Sequence, residues 1–158
     1  MNYHIDIQHA CASPIPFKDE LLREWAALAL VEKFKTAEVT LRLVDLAEMQ
    51  DLNNRYRQQD KPTNVLAFPS SLPKNIKLKF PLVGDVIICP AMLEEESKTL
   101  NKPLEEHWAH ITIHGILHLL GYDHIKESDA KLMQAVEKGL LGLLGFADPY
   151  PTEGDDIE

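Results

Sequence analysis

The chain has 158 residues, 45% of them apolar and 26% charged, with a net charge of −9. That is the size and make-up of one soluble globular domain with a real core. No apolar run comes near the roughly 18 residues of a membrane span, two cysteines are too few for a disulfide framework, and the acidic total argues against nucleic-acid binding by bulk charge, though not by a local basic face.

At the N-terminus, Met1 to Asp6 lacks the basic-then-apolar order of a signal peptide. Cys11 and Cys89 are therefore expected as reduced thiols in a cytoplasmic protein with no membrane contact. Tyr3, Ile5 and Ile7 alternate with polar neighbours, which predicts a half-buried strand. Lys18 to Phe34 carries Leu21, Leu22, Trp25, Leu28 and Val31 at helical spacing. Val39, Leu41 and Leu43 alternate again, and Asp45 is placed to cap a helix from Leu46 to Tyr56. Asn64 to Phe68 reads as a short strand ended by Pro69, and the polar stretch Ser70 to Leu82 as a loop.

Val83 to Cys89 is nearly all apolar, as in a strand buried on both faces. Pro90 opens a helix to Leu100. Pro103 opens another, which runs to Leu120 and stops at Gly121. Ser128 or Asp129 caps a last helix that ends near Leu144. The order β-α-β-α-β-β-α-α-α predicts a single α+β domain over residues 1–147, a small mixed four-stranded sheet packed by helices. Residues 148–158 form an acidic C-terminal tail.

Charge is unevenly placed. Arg55, Arg57, Lys61, Lys74, Lys77 and Lys79 stand against Asp60 alone between positions 55 and 79. Such a segment on an acidic protein is either a phosphate-facing patch or a solvated loop.

The chemistry concentrates in His110-Ile-Thr-Ile-His114-Gly-Ile-Leu-His118-Leu-Leu-Gly121-Tyr-Asp-His124. On a helix, His114 and His118 lie on one face, about 6 Å apart along the axis, where two imidazoles can converge on one ion. Gly121 permits a turn with positive φ, after which His124 can fold back as a third ligand. Three neutral imidazoles leave one position of a tetrahedral zinc open, the catalytic arrangement. His107 and His110 share that helical face. His107, about 10 Å from His114, is read as solvated or structural, and His110 as packing or as a partner behind the ligands.

His-x-x-x-His-x-x-Gly-x-x-His is also the pattern of metzincin peptidases. Those enzymes carry a glutamate general base after the first histidine, where this chain has Gly115. The metal geometry fits, while Gly115 weighs against the peptidase chemistry.

The stretch from His114 to His124 resembles the signature of the YbeY family of bacterial metal-dependent endoribonucleases. Two further blocks share the resemblance: Tyr56-Arg57-x-x-Asp60-Lys61-Pro62-Thr63-Asn64-Val65-Leu66-Ala67-Phe68-Pro69, and Gly84-Asp85-Val86-x-Ile88-Cys89. Asn64 and Ala67 depart from the family's commoner Asp and Ser. The resemblance implies a zincin-like α+β fold, one zinc ion per chain on His114, His118 and His124, and single-strand-specific RNA cleavage. It further implies 3′-end maturation of small-subunit (16S) rRNA and ribosome quality control, with a small-subunit ribosomal protein and the GTPase Era as partners. Arg57 is the arginine the family relies on, and its planar fork suits two non-bridging phosphate oxygens. The catalytic pair is thus expected to be Arg57 and His114. The general base stays open, with Asp85 and Asp123 the carboxylate candidates; the plainer readings are a strand residue and a turn residue that orients His124. A zincin-type metallopeptidase and a non-catalytic, zinc-stabilised ribosome-assembly factor are the alternatives.

Overall fold

The computed structural model describes residues 2–71, 80–122 and 126–150. Nine elements follow the expected order: β1 (Asn2–His9), α1 (Asp19–Leu30), β2 (Thr36–Leu43), α2 (Leu46–Arg57), β3 (Val65–Pro69), β4 (Leu82–Ile88), α3 (Pro90–Thr99), α4 (Leu104–Leu119) and α5 (Glu127–Leu143). The strands form one mixed sheet in the order β1-β2-β4-β3. β1 and β2 pair in parallel, as do β2 and β4, while β3 runs antiparallel to β4 with Val65 opposite Ile88 and Ala67 opposite Val86. This is the single α+β domain with a small mixed sheet that the periodicities predict.

Side-chain alternation divides the core between the two faces of the sheet. Val39, Leu41 and Leu43 of β2, with Val86 and Ile88 of β4, pack with Leu22, Trp25, Trp108, Ile113 and Leu117 of α1 and α4. Leu66 and Ile87 point to the other face and join Met49 in a smaller cluster, with Leu52 and Phe68 against it. α4 is buried nearly all round, with only His114 and His118 half-buried along its second half. No helix among the described residues is long and apolar enough to cross a membrane.

Two helix starts differ in detail from the sequence reading. Asp45 sits at the N-cap of α2, but its carboxylate makes no capping bond there. It accepts the Ala12 N–H at 3.1 Å instead, tying the loop after β1 to the start of α2. α5 begins at Glu127 with Lys126 as its N-cap, two residues before Ser128 and three before Asp129, the caps expected from the sequence.

Candidate functional site

α4 ends as its glycine requires. Gly121 has φ +102°, its N–H donates to the His118 carbonyl, and the Tyr122 N–H reaches back to the Leu117 carbonyl. This paired arrangement, with a left-handed residue just past the helix, turns the chain sharply at the end of the histidine face. His124, the proposed third ligand, and Asp123 lie outside the described residues.

His114 and His118 converge as the spacing predicts, with their Nε2 atoms 3.2 Å apart. Two nitrogens each about 2.0–2.1 Å from a tetrahedral zinc stand about 3.3–3.4 Å apart, so the pair fits that ion with little adjustment. The opposite nitrogen of His114 is also committed. Its Nδ1 lies 2.9 Å from Oε2 of Glu137 on α5. An Nδ1–H donated to a carboxylate leaves the Nε2 lone pair for a cation.

Glu137 is fully buried and gathers more partners. The same Oε2 lies 2.9 Å from Nε2 of His110, and the Tyr150 hydroxyl donates to Oε1 at 2.9 Å. Burial would raise the Glu137 pKa, but the bonds from His110 and His114 outweigh it and bring it from 4.5 to about 2. Glu137 is therefore an ionised acceptor. His110 is held below its ordinary pKa, chiefly by burial, so it donates as a neutral ring. His110, His114 and Glu137 place three potential ligand atoms within 4.8 Å of one another, a group that could hold a metal ion. Here those atoms are closed on one another through hydrogen bonds, whereas Nε2 of His114 and Nε2 of His118 meet on the other side of the His114 ring.

Outward lies a cleft of about 660 Å³, lined by His114, Gly115, His118 and Tyr122 on one side, by Val65, Leu66, Ala67 and Pro69 of β3, and by Asn53, Arg57, Thr63 and Asn64. Arg57 is the last residue of α2. Gln58 beyond it takes a left-handed conformation (φ +57°) and reverses the chain into the loop before β3. Asn53 holds that loop by donating to the Lys61 carbonyl at 2.8 Å. Asn64 donates to Glu96 on α3 at 3.2 Å, and Glu96 also bonds Nε2 of His107 at 2.8 Å. Burial pulls the Glu96 pKa upward, but these two donors prevail and it lies below the ordinary value. His107 is thus a buried structural partner, not a solvated one. Arg55 pairs with Asp51 across one helical turn and does not line the cleft. Lys74, Lys77 and Lys79 lie outside the described residues.

Gly115 explains the missing glutamate. A Cβ there would come within 2.6 Å of Val86 and 3.0 Å of Val65, both stiff β-branched side chains. α4 approaches the sheet so closely that a side chain at this position would have to displace one of them. Asp85 is exposed and alternates with Val86, so it points to the sheet face opposite the histidines and does not join the cleft.

Two contributors escaped the sequence reading. Glu137 stands among Met133, Leu140 and Leu141 on the buried side of α5, and a lone carboxylate on an apolar helical face was its available signal. Tyr150 carries no such mark; only the fold brings it to Glu137. It stands on the tail side of position 147, and with Asp148, which lies 3.6 Å from Lys138, it ties this stretch to α5.

Comparison with known proteins agrees with this architecture. A Legionella pneumophila protein described as Endoribonuclease YbeY is 53% identical over the full length of both chains. A Pseudomonas putida protein of the same description is 47% identical over 152 residues, 96% of each chain. The solution structure of a Thermotoga maritima protein superposes with a TM-score of 0.54 at 25% identity, covering 91% of this chain and 98% of that one. The sequence model of the family described as Endoribonuclease YbeY matches residues 12–145. With a match this long, relatives this similar and a histidine face that opens on a cleft, the chain belongs to the YbeY family of endoribonucleases, hydrolases of RNA phosphodiester bonds.

Proposed function

We propose that this protein is a metal-dependent endoribonuclease that binds one zinc ion through His114, His118 and His124 and cuts single-stranded RNA. Its work is rRNA processing, at the 3′ end of small-subunit 16S rRNA, in the cytoplasm. The observation that carries this reading is the pair of imidazole nitrogens 3.2 Å apart, opening on a cleft that Arg57 also lines.

When bound, the cation supplies Lewis-acid stabilisation of phosphate charge and a lowered pKa for water. The chain's own residues do the rest. Glu137 keeps a proton on Nδ1 of His114 and fixes the ring's orientation. Arg57 offers a planar fork to two non-bridging oxygens as charge grows on the phosphate. The β3 wall and Tyr122 give the cleft apolar surface against which a nucleoside can lie. The open cleft favours catalysis over a purely structural ion, and Gly115 leaves no room for a peptidase's glutamate. A small-subunit ribosomal protein and the GTPase Era would supply positional specificity that an acidic protein's own affinity for RNA does not.

The test is end-mapping of a single-stranded RNA cut by the pure protein, with metal analysis of each sample. His118→Ala should lose both zinc and cleavage. Arg57→Glu should keep the zinc and the far-ultraviolet spectrum but lose about 100-fold or more in kcat. Equal cleavage by a well-folded, chelated sample would end the reading.

A further inference from the structure

β3 is the outermost strand of the sheet, and it forms one wall of the cleft that holds His114 and His118. In an antiparallel pair, alternate residues turn their main-chain groups toward and away from the partner. The Cys89 N–H donates to the Asn64 carbonyl and the Ser70 N–H to the Val83 carbonyl, both at 3.0 Å, bracketing the ladder with β4. Positions 64, 66, 68 and 70 therefore face β4. Val65, Ala67 and Pro69 turn the other way, and among the described residues nothing bonds to their outward main-chain groups. Open strand edges are normally covered or charged, so an uncovered one inside a candidate active site calls for a ligand.

The edge is short. Val65 and Ala67 each present an N–H beside a carbonyl, and Pro69, which has no N–H, then interrupts the ladder. That is too little for a long peptide strand but enough for a planar ligand with one donor next to one acceptor. Every nucleobase carries such a pair on its Watson–Crick edge: the amino group and N1 of adenine, the amino group and N3 of cytosine, N1–H and O6 of guanine, N3–H and O4 of uracil. Single-stranded RNA exposes these edges, and proteins read them there.

We propose that the outward edge of β3, at Val65 and Ala67, hydrogen-bonds the Watson–Crick edge of one unpaired base beside the phosphate presented to His114 and His118. This rests on the endoribonuclease reading above and deepens it. A base already paired in a duplex has no free edge to offer, so the main chain of β3 selects for single strands. Since all four bases carry the required pair, it does so with little sequence preference.

The experiment uses the zinc-loaded full chain and a single-stranded oligoribonucleotide whose cleavage site has been mapped. A single abasic residue is placed in turn at each position flanking that site. One position should lose about tenfold or more in kcat/KM, the effect of two net hydrogen bonds, while exchange among the four bases there changes it by less than about threefold. Ala67→Pro removes an outward N–H and no bond to β4, a substitution an edge strand tolerates. It should lose about threefold or more on the intact oligonucleotide, the effect of one net hydrogen bond, and none on the abasic one, with zinc content unchanged.

A flat abasic scan with the unaltered protein overturns the proposal, whether or not Ala67→Pro folds. So does Ala67→Pro cleaving the intact oligonucleotide at the original rate. Capture of an extended peptide by the parent and not by Ala67→Pro, alongside a flat scan, would assign the edge to a peptide strand instead. Absence of any RNA cleavage would overturn the endoribonuclease reading and this proposal with it, whereas cleavage untouched by either change overturns this proposal alone.

Discussion

A histidine binds a cation through whichever ring nitrogen is left without a proton, and at His114 Glu137 makes that choice. An ionised carboxylate 2.9 Å from Nδ1 keeps the proton on that side. Glu137→Gln would keep the shape but lose the charge that enforces the tautomer. Zinc affinity should fall about 10–100-fold, measured by competition with a chromophoric chelator. Arg57 is a different case, because its value lies in the shape of the guanidinium. Arg57→Lys keeps the charge and loses the two-pronged grip, so kcat on single-stranded RNA should drop by about tenfold or more with KM less affected. An unchanged kcat would leave Arg57 outside the reaction.

The element that organises the site is α4, and its position depends on a missing side chain. Gly115 lets the helix rest on Val65 and Val86, which brings His114 and His118 level with the edge of β3. Gly115→Ala gains in helix propensity but must push apart two packed elements. The expected balance is a loss of about 1–3 kcal/mol in urea unfolding, together with weaker zinc binding as the histidine face shifts. α2 and α3 act on the opposite wall: Asn53 and Glu96 hold the loop of Lys61 to Asn64, so the two sides of the cleft are set by different contacts.

Across the whole molecule, acid should act through the buried network. Glu137 titrates at about 2 in the fold and near 4.5 when unfolded, so its contribution is present above pH 4.5 and lost as pH falls toward 2. His110, depressed chiefly by burial, contributes in the same sense: the unfolded chain takes up its proton first, below about 6.5. The Tm of the chelated protein should fall as pH drops below about 6.5, with a further fall between 4.5 and 2. Glu137→Gln should remove the lower step, and its persistence in that variant would place the titrating group elsewhere.

Periodicity alone determined the element order of this chain, because an apolar face must repeat every two residues in a strand and near every 3.6 in a helix. The convergence of His114 and His118 was also legible, since both lie on one helix and their spacing is local, and so was the positive φ of Gly121. Glu137, Tyr150 and the pairing of His107 with Glu96 were not. These groups meet only because α5 and α3 pack against α4, and no spacing along the chain encodes such contacts. The same holds for Gly115, which reads as a lost base until the sheet is seen beneath it, and for β3, whose place at the edge follows from strand order rather than from its own residues. Local geometry is written in the sequence; which distant groups share a buried charge or leave an edge uncovered is decided only when the layers close.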